Sequence, residues 1–163
     1  MSKIQIQLSD GRNINLDLYE DVAPITVKNF KKLIKENFFD GLCFHRTIKD
    51  FMIQGGGFTA DGQHKEADSI KGEFDGNGVT NPLKHTRGVL SMARTMFPNS
   101  ASSQFFIMHE DAPHLDGQYA GFGTVTSGMD IVDKICKDTP VTDSNGTVEK
   151  ENQPVIEKIT VKD

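Results

Sequence analysis

Five histidines (His45, His64, His85, His109 and His114) and two cysteines (Cys43 and Cys136) are the side chains of this 163-residue sequence best suited to hold a metal or attack a bond. Their spacing supports neither use. There is no His-Glu-x-x-His and no Cys-x-x-Cys, so a zinc site lacks its usual geometry, and the distant cysteines read as buried free thiols. No Gly-x-Ser-x-Gly elbow occurs, and Gly55-Gly56-Gly57 is not followed by the Gly-Lys-Ser/Thr of a phosphate-cradling loop. Asp143, Asn145 and Gly146 miss the offsets of a calcium loop. The residues imply no metal and no cofactor.

A polar group set among apolar ones remains. Arg46 lies in a run with Phe44, Phe51, Met52 and Gln54, and arginine is costly to place against such neighbours. Composition alone favours a surface arginine whose stem crosses Phe44. Strand alternation places Gln104, Phe106 and Met108 on one face and Phe105 and Ile107 on the other, so both faces carry large apolar groups. One face can fill a core. The other is either covered by a helix or left as an apolar patch of the kind that marks a binding surface.

The elements that must position these residues are mostly strands. Ile4, Ile6 and Leu8 alternate before Asp10-Gly11, and Ile14, Leu16 and Leu18 alternate after it, which predicts a hairpin. A three-residue Asp10-Gly11-Arg12 loop with Gly11 left-handed keeps both apolar rows on one face. Pro24 begins an amphipathic helix through Val27, Phe30, Ile34 and Phe38 that ends near Asp40-Gly41. Further strands are expected at 42–48, 51–54, 89–93, 104–108, 122–126 and 155–161. Ser127 and Asp130, at capping-box spacing, predict a second helix through Ile131, Val132, Ile135 and Cys136. A long aperiodic segment separates Phe58 from Leu90. Many strands and two helices argue for an antiparallel barrel or sandwich in one domain, 1–163.

Composition narrows the class. Hydrophobic residues make up 36% and charged residues 25%, with eleven Phe and no Trp, as in a globular domain and unlike a disordered or coiled-coil chain. A net charge of −5 speaks against nucleic acid or an anionic membrane as partner. The alternating start MSKIQIQLSD is unlike a signal peptide, and no apolar run is long enough to span a bilayer. A cytoplasmic monomer is expected.

The segments FHRTIKDFMIQGGGFT (44–59), LKHTRGVLSMART (83–95), SQFFI (103–107) and LDGQYAGFGTV (115–125) closely resemble, in order, those of cyclophilins, the cyclosporin-binding peptidyl-prolyl isomerases. The resemblance covers essentially the whole chain. It implies an eight-stranded antiparallel β-barrel capped by two α-helices, with the active groove on the outside of a barrel whose interior is packed. It makes Arg46 the catalytic arginine. Phe51, Met52, Phe106 and Leu115 would line the proline pocket, and Gln54 and Gln104 would hydrogen-bond the peptide. Ala93, Thr95, His114 and Tyr119 would flank it. Alternation puts Phe51 on the opposite face from Met52 and Gln54, so a bend near Lys49-Asp50 is expected.

The implied reaction, rotation about Xaa-Pro bonds in folding proteins, makes and breaks no covalent bond, so the lack of a nucleophile or metal suits it. Proline-containing peptides and folding chains are the expected partners. The alternative is a non-catalytic proline-peptide binding module or chaperone on the same fold, which would be expected to lose the set Arg46, Phe51, Met52, Gln54 and Phe106. The sequence departs from the best-known members at His114, where many carry Trp, and at Tyr119, where many carry His. The loop 92–100 looks one residue longer, and these features resemble bacterial members. Without the Trp ring and its N–H, weak cyclosporin binding is expected. His114 itself is either a rim residue or a solvated loop histidine.

Overall fold

The computed structural model describes residues 1–162. Its strands are β1 (Ser2–Leu8), β2 (Asn13–Leu18), β3 (Leu42–Ile48), β4 (Met52–Thr59), β5 (Val89–Met92), β6 (Phe105–Met108), β7 (Gly121–Ser127) and β8 (Ile156–Val161). They form one antiparallel sheet in the order β3-β4-β6-β5-β7-β2-β1-β8. A bridge between Cys43 and Val155 joins the outer strands, and the Phe44 and Gly41 N–H groups donate to the carbonyls of Pro154 and Ile156. The sheet thereby curls into a nearly closed barrel. Two helices, α1 (Pro24–Lys35) and α2 (Met129–Asp138), pack onto it.

Alternation sorts the side chains. Ile4, Ile6, Ile14, Leu16, Phe44, Ile53, Phe105, Ile107 and Phe122 join the main core. Phe105 is its aromatic centre, with the rings of Phe30, Phe39 and Phe44 at 5.4, 5.7 and 5.8 Å. The interior is filled with side chains, unlike a barrel that holds a ligand in its lumen. On the outer face a smaller cluster forms from Met52, Val89, Phe106, Met108, Ala112 and Leu115. The split of Phe106 and Met108 from Phe105 and Ile107 is the one the period of two predicts.

Three local expectations are corrected. The first hairpin loop has three residues, but they are Ser9-Asp10-Gly11, since Ile6 faces Ile14 and Leu8 donates to Arg12 O. Gly11 is left-handed at φ 92°; a three-residue loop built on a type I turn needs that conformation at its third residue, which fixes the register one step earlier. Helix α1 stops at Lys35, short of Asp40-Gly41. Asn37 turns left-handed at φ 56°, and the N–H groups of Asn37 and Phe38 bond Ile34 O and Leu33 O, closing a Schellman motif. Ser127 does not cap α2: the N-cap is Gly128, at φ 95°, and the Ser127 hydroxyl accepts from Asn15 instead.

The long segment after Phe58 has a structural task. No side chain of α1 caps its N-terminus. The carboxylate of Glu73, 2% exposed, takes that role from a distance, accepting from the backbone N–H groups of Ile25 and Thr26 and from the Thr26 hydroxyl. An anion at a helix N-terminus satisfies donors that otherwise lack partners.

Candidate active site

Cross-strand register builds the site. Arg46 on β3 faces Gln54 on β4, Gln54 faces Phe106 on β6, and Phe106 faces Ser91 on β5. Facing residues share a side of the sheet, so these four form one row on the barrel's exterior. Phe44 and Arg46 would share a face in a regular strand. A bulge between them, with His45 as the extra residue, sends Phe44 into the core and Arg46 out into the groove. The reading of Arg46 as a surface stem lying across Phe44 is corrected accordingly.

The Arg46 guanidinium is held on three sides by neutral acceptors. Nε donates to Asn145 O at 2.8 Å, Nη2 to Asn145 Oδ1 at 3.2 Å and Nη1 to Gln54 Oε1 at 3.0 Å. Arginine carries five N–H groups, so among the described residues one on each terminal nitrogen stays uncommitted. Gln54 Nε2 passes the chain on to Gln104 Oε1 at 3.0 Å. The Gln104 side chain lies flat over Gly57, where a Cβ would come within 2.5 Å of it. The triple glycine therefore serves close approach, of the Gln104 side chain at Gly57 and of the Cys43 carbonyl oxygen at Gly55. Asn145 is presented by the Asp143–Thr147 turn, in which Asp143 accepts from both backbone N–H groups and the Thr147 hydroxyl. Those bonds hold the Asp143 carboxyl below its usual range.

Beside Arg46 is a cavity of about 130 Å³ lined by Arg46, Phe51, Met52, Gln54, Ala93, Arg94, Phe106, Leu115 and Tyr119. A cavity of roughly 150 Å³ holds one benzene, so this one suits a single small ring. Eight of its nine lining residues are among those expected from the sequence. Thr95 and Gln104 line an adjoining groove of about 310 Å³ with Gln54, Ala93, Arg94 and Ser100. His114 is exposed, and its ring lies 5.8 Å from that of Phe51, at the edge of the cavity.

The expected bend is present and has a built support. Phe51 N–H closes a turn onto Ile48 O, with Asp50 left-handed at φ 65°. Asp50 N–H donates to Nδ1 of His109 at 2.8 Å, and Phe51 O accepts from His109 N–H. Because Nδ1 accepts, the neutral ring must carry its proton on Nε2, which faces Asp133 at 3.2 Å. Arg87 grips Asp133 with two bonds of 2.7 Å and holds its carboxyl below the usual range. A buried histidine thus connects α2 to the turn that places Phe51 in the cavity wall.

Four contributors escaped the sequence reading. Arg94 packs its guanidinium over the rings of Phe74 and Tyr119, at 4.7 and 4.8 Å, while donating to Gln118 O and Thr95 O. His85 lies behind Phe106, rings stacked at 6.0 Å, bonded to Ser91 and Asp116, and burial pushes its pKa down. Asn145 and His109 join them. His85 and Arg94 lie within the 83–95 segment but act through partners outside it such as Asp116 and Gln118, Asn145 and His109 come from loops beyond it, and only the Asp143-x-Asn145-Gly146 turn pattern left a local trace.

A family model described as cyclophilin type peptidyl-prolyl cis-trans isomerase matches residues 3–161. The chain is 50% identical over 129 residues to a peptidyl-prolyl cis-trans isomerase of Acinetobacter baylyi, an alignment covering 76% of this chain and 66%, just under two thirds, of that one. It is 44% identical to peptidyl-prolyl cis-trans isomerase B of Bacillus subtilis, across 88% of this chain and 92% of the relative. A crystal structure of a cyclophilin type peptidyl-prolyl cis-trans isomerase from Cryptosporidium parvum superposes with a TM-score of 0.78 at 26% identity, covering 99% of this chain and 98% of the other. Barrel, external groove and sequence agree, and the chain belongs to the cyclophilin-type peptidyl-prolyl cis-trans isomerase family.

Proposed function

We propose that the chain catalyses cis-trans isomerisation of Xaa-Pro bonds in proteins, with Arg46 as its catalytic group and the 130 Å³ cavity as the proline pocket. The observation that carries this reading is the state of Arg46. Its guanidinium is fixed by three neutral acceptors, two N–H groups stay uncommitted beside an apolar cavity, and no ion pair neutralises it among the described residues. The uncatalysed rotation faces about 18–20 kcal/mol because amide resonance must be broken. As the bond twists, the prolyl nitrogen pyramidalises and gains a lone pair. A preorganised N–H donor bonds that lone pair in the twisted state and has no equivalent partner in the planar one.

Met52, Phe106 and Leu115, all buried, form a clamp for the ring that excludes water and fixes one side of the bond. Gln54, Gln104 and the Ala93–Thr95 backbone hold the other side, so the chain turns about one bond alone. A crystal structure of the Cryptosporidium parvum relative was obtained in the presence of the dipeptide Ala-Pro, which supports a proline peptide as substrate. The test is exchange between cis and trans forms of an Ala-Pro peptide, wild type against Arg46→Ala.

Cyclosporin is expected to bind weakly. Exposed His114 sits at the rim against Phe51, with a smaller ring than Trp and no indole N–H. Tight inhibition in a titration of wild-type activity would contradict this. The reading extends to one catalytic domain acting as a cytoplasmic monomer. Support comes from the charge of −5 and from two buried free thiols, whose pKa values burial raises to about 11 for Cys43 and about 12 for Cys136. No helix among the described residues is long and apolar enough to cross a membrane.

A further inference from the structure

Beside the catalytic groove stands an apolar feature that the groove chemistry does not use. Met96 and Phe97 are 85% and 68% exposed, and they are consecutive residues at the apex of the loop between β5 and β6. Isolated surface hydrophobics need no explanation. An adjacent Met and Phe, both turned to water on a hydrogen-bonded loop, form a presented surface.

The loop is built to hold that surface still. Thr95 N–H and its hydroxyl both bond the Ser100 hydroxyl, which donates to Phe97 O, and Phe97 N–H bonds the Thr95 hydroxyl. Asn99 Oδ1 accepts from Gly72 N–H and from Asn77, so the long segment after Phe58 braces the loop from behind. At Gly72 a Cβ would fall 2.3 Å from Pro98 O, which shows how closely the brace approaches. A partner that meets these side chains has no loop to order first.

We infer that Met96 and Phe97 form a docking surface for large apolar side chains of an unfolded client chain whose proline occupies the cavity. This rests on the isomerase reading and names the client class that the groove prefers. Continuity selects the occupant. Thr95 and Ser100, whose hydroxyls shape the apex, line the 310 Å³ groove, and that groove shares Gln54, Ala93 and Arg94 with the cavity. A chain extending from the cavity along the groove passes Thr95 and Ser100, the two residues that bracket Met96 and Phe97 in the loop. Chemistry selects it too. The apex Met96-Phe97-Pro98 carries no charge, and Arg94 beneath it is committed to Gln118 O, Thr95 O and two rings. Unbranched Met adapts to side chains of varied shape, as a catalyst serving many sequences requires.

The test compares wild type with M96S/F97S on two substrates: a short Ala-Pro peptide, and an unfolded protein whose refolding is limited by one proline flanked by large apolar residues. The expected result is peptide kcat/KM within about twofold of wild type and refolding kcat/KM down by about tenfold, through KM, as loss of apolar contact dictates. Replacing the client's flanking apolar residues by Ser is expected to abolish the difference between the two enzymes. Equal catalysis of refolding by both would overturn the docking surface. So would a concentration-dependent dimer in sedimentation that M96S/F97S abolishes, since the apex would then serve a second copy. Failure of the isomerase reading looks different: Arg46→Ala would leave both substrates untouched.

Discussion

Substituting Arg46 separates its role in the reaction from its role in the fold. In the ground state the guanidinium makes three bonds, at 2.8, 3.2 and 3.0 Å, to groups that are themselves half-buried or exposed. Partly hydrated bonds of this kind contribute little each, so Arg46→Ala is expected to cost about 1–2 kcal/mol in stability, lowering Tm by about 2–8 °C for a chain of this size. In the twisted state one further N–H would bond the prolyl nitrogen. Removing a preorganised donor of that type typically costs about 10²–10³ in rate. The expected outcome is a folded protein whose kcat/KM on an Ala-Pro peptide falls by about 10²–10³, leaving the residual contributed by the apolar clamp. Arg46→Lys sharpens the test. Lysine keeps the charge but has three donors on one atom, so it cannot reach both acceptors of Asn145 and that of Gln54 while offering a fourth bond to substrate. It is expected to recover less than about a tenth of the lost rate. Exchange measured at equilibrium by NMR, with Tm taken on the same samples, reads both quantities. A folded Arg46→Ala within about threefold of wild type, or an Arg46→Lys equal to wild type, would refute the donor mechanism.

Other parts of the structure make independent predictions. Glu73→Gln points an amide N–H₂ or leaves a single oxygen at the start of α1, and is expected to lose about 2–3 kcal/mol in urea unfolding; a change under about 0.5 kcal/mol would remove Glu73 as the cap. Burial lowers the pKa of His45 to about 4, with Arg46 and His64 adding to the effect, while in the unfolded chain it titrates near about 6.5. The unfolded state then binds the extra proton, so stability is full above about pH 6.5 and falls towards pH 4 by up to about 1.4 kcal/mol per pH unit. His85, also lowered by burial, acts with the same sign. His45→Phe is expected to flatten that slope between pH 7 and 4.5, and an unchanged slope would remove His45 as its source. For the Phe51 turn, His109→Leu deletes the acceptor for Asp50 N–H and should raise KM. Asp50→Gly removes a left-handed penalty of about 1–2 kcal/mol and should shrink the effect of His109→Leu, so strictly additive effects would count against the positioning role.

Legibility differed from element to element, for physical reasons. Strand-like runs located all eight strands, with strict alternation marking the first hairpin, and the period of two separated Phe105 from Phe106 although β6 is buried on both faces. Turn details were less secure: the Gly11 loop and the Asn37 stop depend on where a left-handed residue falls within a few positions. The Ser127 box failed because Gly128 supplied the N-cap and the serine was taken by Asn15. Arg46 was the instructive residue, since strict alternation tied it to Phe44 and only a bulge parted them.

By itself the sequence determined the barrel's alternation, the two helices and, through its family segments, the residues that line the cavity. Those properties are local, or are carried in contiguous motifs. The tertiary structure alone decided how the cavity and the start of α1 are held. Asn145 reaches Arg46 from 99 positions away, His109 reaches Asp50 from 59, and Glu73 reaches Thr26 from 47. Each is a polar pair between segments far apart in the chain, and polar pairing leaves no periodic trace.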